Sequence, residues 1–164
     1  MRRQDRKRTD PQTIRAILDA AQVFSLALAD PASPFPYVLP LNYGYEFQGD
    51  RLTLYFHGAL AGRKYELLKE GVHPAGFALH CRSRLLPGET AQETSYAYQS
   101  LVGEGWVRQL MEPGEKRHGL EVLMACLTQR PWEIQDAVLL HTAVFALDVE
   151  HFEAKENQPS KDRM

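Results

Sequence analysis

A chain of 164 residues of which 44% are apolar can bury one sizeable core, but it is short for two ordinary domains and a linker. The chain has 19 basic and 21 acidic residues, and its formal charge of −2 gives no reason to expect a nucleic-acid-binding surface. No apolar run approaches the roughly 18 residues of a membrane span, and the start of the chain is charged where a signal peptide is apolar. Cys81 and Cys126 are the two cysteines, and their wide separation fits a reducing compartment. We therefore expect a single-domain cytoplasmic protein that binds neither a membrane nor nucleic acid.

The first part of the chain is a basic arm followed by a helix. Residues 1–9 form the arm, which is either solvated and packed on a partner subunit or a contact for an anion or a nucleic acid. A helix is predicted over residues 10–21. Asp10 can cap its free N–H groups, Pro11 tolerates the first helical position, and apolar residues recur at helical spacing from Ile14 onward.

Alternating apolar residues predict six strands, over residues 23–29, 37–47, 51–56, 75–81, 95–110 and 142–152. The second and third strands form a hairpin across a short polar turn at residues 48–50. Further helices are predicted over residues 63–70, 115–127 and, more weakly, 132–140. Residues 155–164 are polar and without pattern, which predicts a disordered tail after a domain spanning residues 1–154. Antiparallel strands with short helices between them indicate an α+β fold, a six-stranded, mainly antiparallel barrel.

The segment from His57 to Lys64 is a candidate anion site. A strand ends at His57 and Gly58, and small residues lead into a helix that begins near Arg63 and Lys64. Small residues let backbone N–H groups approach an anion, the start of a helix carries partial positive charge, and the two side chains add full charges. An ordinary exposed basic pair stays open as the alternative, because the pattern of a P-loop is absent.

Four motifs together resemble the nitroimidazole-resistance branch of the FMN-binding split barrels, which are related to pyridoxamine 5'-phosphate oxidase. The motifs are YVLPLNYGYE at residues 37–46, LYFHGALAGRK at 54–64, YQSLVGEGWV at 98–107 and TAVFALDVEHFEAKEN at 142–157. They occur in the order and at the spacing of that group and cover nearly the whole chain. The resemblance implies a split barrel, FMN as the cofactor, and a homodimer with the cofactor at the subunit interface.

The resemblance also implies which residues bind the cofactor. His57, Gly58, Arg63 and Lys64 match positions that hold the cofactor and its phosphate, and Ser100 matches a side chain that reaches the cofactor from the fifth strand. In proteins of this superfamily, one strand lies along the flavin and contacts it partly through backbone groups. In this sequence that strand consists of Tyr37, Val38, Leu39, Pro40, Leu41 and Asn42.

His57 has three possible roles. Its imidazole can hydrogen-bond the cofactor, or it can be a catalytic group that donates a proton as a reduced flavin passes electrons to a nitro group. Contact with the cofactor is the favoured role, because electron transfer belongs to the flavin and the protein mainly binds and orients it. The third possibility is a histidine at a strand end with no ligand.

The function implied by the resemblance is that of an FMN-dependent oxidoreductase acting on small acceptors such as nitroaromatics. Two alternatives remain open: a non-catalytic FMN-binding carrier or sensor, and a split barrel that binds haem or a deazaflavin. The carrier is an alternative because no strand-linked GxGxxG marks a nicotinamide site. Pyridoxamine 5'-phosphate oxidase carries an Arg- and His-containing substrate motif near its C-terminus, and its absence from VFALDVEHFEAKEN argues against vitamin B6 oxidation.

Other polar and aromatic residues are weaker candidates. His80 and Cys81 are neighbours on a predicted strand and point to opposite faces, so we predict no metal site there. Asn42 and Tyr43 either face a ligand or form a buried, hydrogen-bonded pair. Three aromatic residues form either a wall beside the flavin or contacts in the core or dimer interface: Tyr96, Tyr98 and Trp106.

Overall fold

The computed structural model describes residues 4–158 and has eight strands and four α-helices in that range. The strands are β1 (Lys7–Arg8), β2 (Val23–Leu28), β3 (Tyr37–Asn42), β4 (Gly44–Gln48), β5 (Arg51–Gly58), β6 (Val72–Leu86), β7 (Ser95–Gln109) and β8 (Ala143–Asn157). The helices are α1 (Pro11–Ala20), α2 (Arg63–Leu68), α3 (Pro113–Thr128) and α4 (Asp136–His141). The α+β class and the mainly antiparallel sheet predicted from the sequence are confirmed.

The prediction of six strands is wrong, because two further strands arise from backbone pairing that side-chain alternation does not reveal. The predicted strand over residues 37–47 is divided at Tyr43 into β3 and β4, which have different partners. In the basic arm, Lys7 and Arg8 pair with Lys155 and Ala154 of β8, and Arg8 Nε donates to Glu156 at 2.9 Å. β8 thus extends into the segment predicted as a tail, while residues 1–3 and 159–164 lie outside the described residues.

The strands form one antiparallel sheet that curls into a split barrel. Its order is β3-β2-β6-β7-β8-β5-β4, with β1 added to β8. β3 and β4 therefore lie at opposite edges of the sheet, although only Tyr43 separates them in sequence. Tyr43 is 2% exposed, and its hydroxyl donates to the carbonyl of Leu18 in α1 at 2.8 Å. Of the two roles left open for Tyr43, the structure shows the buried, hydrogen-bonded one.

The core fills the barrel and is covered at one end by α1. The ring of Phe24 on β2 lies 5.6 Å from that of Phe56 on β5, which stacks on Phe145 of β8 at 5.2 Å. The contact of Phe24 with Phe56 joins strands that are distant in the order of the sheet, whereas Phe56 and Phe145 lie on adjacent strands. α1 begins where predicted, since Asp10 accepts a hydrogen bond from Thr13 N at 2.8 Å. Its buried face consists of Ile14, Ile17 and Leu18.

Two shifts of pairing register in the long strands change the direction in which side chains point. The pairing of β6 with β7 shifts between Cys81 and Arg84, and that of β7 with β8 shifts between Glu104 and Gly105. β-bulges of this kind bend a strand and turn a residue out of the regular alternation. In the described part of the chain, no helix combines the length and apolarity required to cross a membrane.

Replacing Gly44 by alanine tests how closely α3 packs on the sheet. A Cβ at Gly44 would lie 2.4 Å from Leu123 Cα, a backbone atom that cannot move alone. We expect Gly44→Ala to lower the free energy of unfolding by about 2 kcal/mol through overpacking. Urea denaturation measures the change. Gly114→Ala is the control, because a Cβ at Gly114 meets no atom within 4 Å; equal midpoints for the two variants would contradict the packing argument.

Candidate cofactor site

Lys64 lies across the end of β5 with its ammonium against the backbone. Its Nζ donates to the carbonyl oxygen of His57 at 2.7 Å and lies 5.8 Å from the centroid of the Phe56 ring. A Cβ at Gly58 would lie 2.5 Å from Lys64 Nζ, so glycine leaves room for this side chain. Burial lowers the pKa of Lys64. A half-buried ammonium that donates to one carbonyl keeps further N–H groups for an anion.

Arg63 fastens the start of α2 to the connection between β2 and β3. Its Nη2 lies 2.5 Å and its Nε 2.7 Å from Asp30 Oδ2, and its guanidinium lies 4.4 Å from the centroid of the Tyr37 ring. The backbone N–H of Ala32 and the Arg63 side chain hold the pKa of Asp30 below its usual range. The arginine is 46% exposed, whereas the aspartate is 9% exposed. These contacts bring Tyr37 beside Arg63.

His57 lies at the same end of β5 with an exposed side chain. Within residues 4–158 its imidazole makes no hydrogen bond, while its backbone carbonyl accepts from Lys64. Partial removal from water, with the Lys64 ammonium as a second cause, lowers the pKa of His57 below its usual 6.5. The lowered pKa favours the neutral ring, in which one nitrogen can donate and the other can accept.

The region around Arg63 and Lys64 at the start of α2 is called the basic corner below. β3 offers a free backbone edge next to it. It pairs with β2 alone among the described strands, so its other side carries unpaired N–H and C=O groups. Leu39 and Leu41 pack against the core, whereas Val38 and Pro40 are exposed. Pro40 lacks an N–H, which breaks the row of donors at one position. This edge can hydrogen-bond a ligand through its backbone.

Asn42 and Ser100 lie at the other end of the barrel. Asn42 ends β3, about 17 Å from its start at 3.3 Å per residue, and its amide donates to a backbone carbonyl at 3.1 Å. Ser100 on β7 pairs with His80 on β6. The residue before His80, Leu79, pairs with Phe24 at the start of β2, so Ser100 lies near the start of β2. Within one protomer, these two side chains are not brought together with Arg63 and Lys64.

An outer groove lies on the opposite face of the sheet from the core. It encloses about 460 Å³ between β2, β6 and β7 and includes Trp106, Glu104 and Glu150 in its lining. Trp106 is 42% exposed, so it can form a wall beside a ligand. Tyr96 pairs with Leu85 near the far end of β7 and does not line this groove.

Asp30 is the polar residue of this corner that sequence reasoning missed. It is followed by Pro31, and its carboxylate accepts from Ala32 N at 2.8 Å, as in a common local turn. That local signal was available and predicts a turn, but it does not predict the partner, because Arg63 lies 33 positions further along the chain.

Within residues 4–158, no group of three or more histidine, cysteine or acidic side chains is placed to hold a metal ion. His80 is exposed and Cys81 is buried, so the two side chains lie on opposite faces of β6. The site has cations and backbone donors, which suit an anionic organic ligand.

Comparison with known proteins gives a family match. Residues 10–156 match the family described as pyridoxamine 5'-phosphate oxidase, which is most of the chain. No curated protein sequence matches.

Solved structures with the same fold cover nearly all of this chain. One from Bacteroides thetaiotaomicron, provisionally described as a 5-nitroimidazole antibiotic resistance protein, has a TM-score of 0.75 and 25% identity over 92% of this chain and 86% of that chain. A flavocytochrome from Azotobacter vinelandii has a TM-score of 0.74 and 19% identity over 99% and 76%. An FAD- and haem-binding protein from Mycobacterium smegmatis has a TM-score of 0.74 and 17% identity over 96% and 78%.

Lys64→Met tests the electrostatic coupling at the corner. Removing the ammonium should raise the pKa of His57 toward its usual value, as measured by NMR titration of the imidazole. The pKa of His57 is lower in the folded state than in the unfolded state. The contribution of His57 to the free energy of unfolding is therefore present above about pH 6.5 and is lost as the pH falls through the folded-state pKa. Lys69→Met is the control, since Lys69 pairs with Glu66 at 2.8 Å. A His57 pKa that is identical in both variants would contradict the coupling.

Proposed function

The chain belongs to the pyridoxamine 5'-phosphate oxidase family, and from that premise we propose that it binds FMN and acts as an oxidoreductase on small acceptors such as nitroaromatics. The arrangement of Lys64, with its ammonium on the His57 carbonyl above Gly58, is the observation that carries the proposal. When bound, FMN supplies the transfer of electrons from a reduced nicotinamide or another donor to the acceptor. The protein residues bind and orient it.

The phosphate of FMN fits the corner formed by Arg63 and Lys64. A phosphate monoester carries close to two negative charges at neutral pH, and the corner keeps a net positive charge, since Asp30 offsets only one of its two cations. Lys64 contributes a compact, half-buried charge, while Arg63 is held in place by Asp30 and Tyr37 and keeps an exposed side. α2 has only six residues, so its dipole contributes little and the full charges carry the argument.

The flavin and its ribityl chain fit the free edge of β3. Its start, at Tyr37, lies at the basic corner, and its unpaired backbone groups run away from it. A backbone edge can hydrogen-bond the polar rim of a flavin without a dedicated side chain. That fits Tyr37, Val38, Leu39, Pro40, Leu41 and Asn42, which are mostly apolar.

We also propose a homodimer in which Ser100 and Asn42 serve the cofactor bound mainly by the other subunit. Both lie at the far end of the barrel from Lys64, so a second protomer placed in reverse direction brings them to the partner's corner. Three exposed valines on the outer faces of β2, β3 and β7 favour self-association: Val23 at 45%, Val38 at 57% and Val102 at 40% exposure.

The proposed acceptor is a small organic oxidant. The resemblance to a nitroimidazole-resistance group, and the similarity to a protein provisionally described in those terms, support a nitroaromatic. Cys81 and Cys126 are both free thiols, which supports placement in the reducing cytoplasm.

The first experiment is a visible absorption spectrum of protein purified without added cofactor, with release and identification of any chromophore. The two-band spectrum of oxidised flavin and released FMN support the proposal. A colourless protein that does not take up FMN overturns it, and a haem spectrum would move the assignment to a haem-binding split barrel.

Lys64→Met is predicted to weaken FMN binding by about 10- to 100-fold, the size of a hydrogen bond to a charged group. Quenching of flavin fluorescence measures the affinity. Riboflavin lacks the phosphate, so its affinity should change little, and Lys69→Met should bind both ligands as wild type does. Equal losses for FMN and riboflavin would place the phosphate elsewhere.

His57→Ala separates a cofactor contact from a chemical role. We expect FMN affinity to fall by about tenfold through the lost hydrogen bond, while kcat with saturating FMN, a reduced nicotinamide and a nitroimidazole changes little. His57→Gln retains an amide donor and should recover part of the affinity. A fall in kcat of about 100-fold at unchanged affinity would instead assign proton donation. If the wild type consumes no reduced nicotinamide with an acceptor present, the non-catalytic carrier replaces the oxidoreductase.

A further inference from the structure

A second cavity lies at the end of the barrel opposite the basic corner. It encloses about 480 Å³ between the C-terminal ends of α1 and α3, the start of β4 and the bulge of β6, and we call it the corner cavity. Asp19, Tyr45, Arg82, Cys126 and Gln129 line it. None of the residues proposed to bind FMN lines this cavity, although Asn42 donates to the carbonyl of Gln22 in its lining.

Two unusual backbone conformations converge on the corner cavity. Arg82, with φ of 52°, and Gln129, with φ of 58°, are the non-glycine residues with left-handed backbone within the described range, and both line it. At Gln129 the conformation is the left-handed cap that ends α3, with its backbone N–H bonded to the carbonyl of Ala125. At Arg82 the conformation belongs to the bulge of β6, which turns its side chain toward the cavity.

The corner cavity holds a carboxylate and a guanidinium that are bonded to neutral partners. Asp19 accepts from the hydroxyl of Tyr45 at 2.6 Å, and Arg82 donates to Oε1 of Gln99 at 3.0 Å. Within residues 4–158 neither forms an ion pair. Gln99 is 4% exposed and donates to Glu156 at 2.6 Å, so Arg82 is anchored to a fixed group. Both residues are exposed, so one negative and one positive side chain in the lining are open to a ligand.

The two charges occupy different surroundings. α1 ends one residue after Asp19, and the lining from Cys126 to Gln129 belongs to the end of α3. The C-terminal end of a helix carries partial negative charge, so two such ends and a carboxylate favour a cation. Arg82 comes from the sheet and can take a carboxylate in a bidentate bond. Leu127 and Ala20 supply apolar surface in the lining.

We propose that the corner cavity binds a small zwitterion, an α-amino acid with an aliphatic side chain. Its ammonium lies at Asp19 and the two helix ends, its carboxylate lies on Arg82, and its side chain packs against Leu127 and Ala20. The ligand cancels both unpaired charges at once, which neither a simple amine nor a simple acid does.

Isothermal titration of the full-length protein with three probes of similar shape tests the proposal. L-leucine carries both charges, 4-methylpentanoate lacks the ammonium, and 3-methylbutylamine lacks the carboxylate. We expect leucine to bind and each analogue to bind about tenfold more weakly or worse, since each loses one charge-assisted contact. No heat of binding from leucine up to its solubility limit overturns the proposal, as does equal binding of all three probes.

Two variants assign each charge to its partner. Asp19→Asn keeps an acceptor for Tyr45 and should remove the preference for leucine over 4-methylpentanoate. Arg82→Gln should remove the preference for leucine over 3-methylbutylamine. Asp50→Asn and Arg84→Gln are matched controls outside the cavity lining and should bind leucine as wild type does. Preferences unchanged in both cavity variants would overturn the assignment.

The Lys64→Met variant tests whether leucine binding depends on the proposed flavin site. It should leave leucine binding unchanged, while Asp19→Asn and Arg82→Gln should leave the FMN content unchanged. Loss of leucine binding in Lys64→Met would show that the ligand lies at the basic corner and would overturn the proposal.

Discussion

The passage of the chain from one edge of the sheet to the other at Tyr43 and Gly44 is the constraint on which the rest of the structure depends. Tyr43 is fixed by its hydrogen bond to Leu18 of α1, and Gly44 lets α3 approach so closely that its Leu123 backbone touches the strand. Because β3 and β4 are thereby held at opposite edges, the sheet must curl, and Phe24 and Phe56 meet inside it. The same passage leaves the outer edge of β3 without a strand partner in the described chain, which frees it for a ligand.

The two ends of the barrel consequently have different chemistry. At one end, α2 brings a half-buried ammonium and a guanidinium to the start of β3, and the neighbouring carboxylate of Asp30 is already used by Arg63. The net charge left there is positive and suits a phosphate. At the other end, Asp19 and Arg82 are held by neutral partners and retain opposite charges, which suits a ligand with both. Within one protomer, the length of β3 separates the two ends.

The elements and part of the site could be predicted because their signals are local. Asp10 and Pro11 mark the start of α1, and the turn before Arg51 marks the β4–β5 hairpin. The prediction failed at Tyr43 because apolar alternation continues through it, so the strand reads as unbroken although its pairing partner changes. The pairing of Lys7 with Lys155 could not be predicted either, since two charged residues carry no strand pattern and backbone hydrogen bonds hold them.

The sequence by itself determined the helices, most of the strands, the α+β class, the resemblance to the split-barrel family and the basic pair Arg63 and Lys64. These follow from spacing and residue type within short windows. Only the tertiary structure decided that Lys64 lies on the His57 carbonyl, that Arg63 is tied to Asp30, that Ser100 is remote from both, and that Asp19 and Arg82 share a cavity. The physical reason is that each of these relations joins segments far apart in sequence, and the curl of the sheet, which no local pattern encodes, sets their distances.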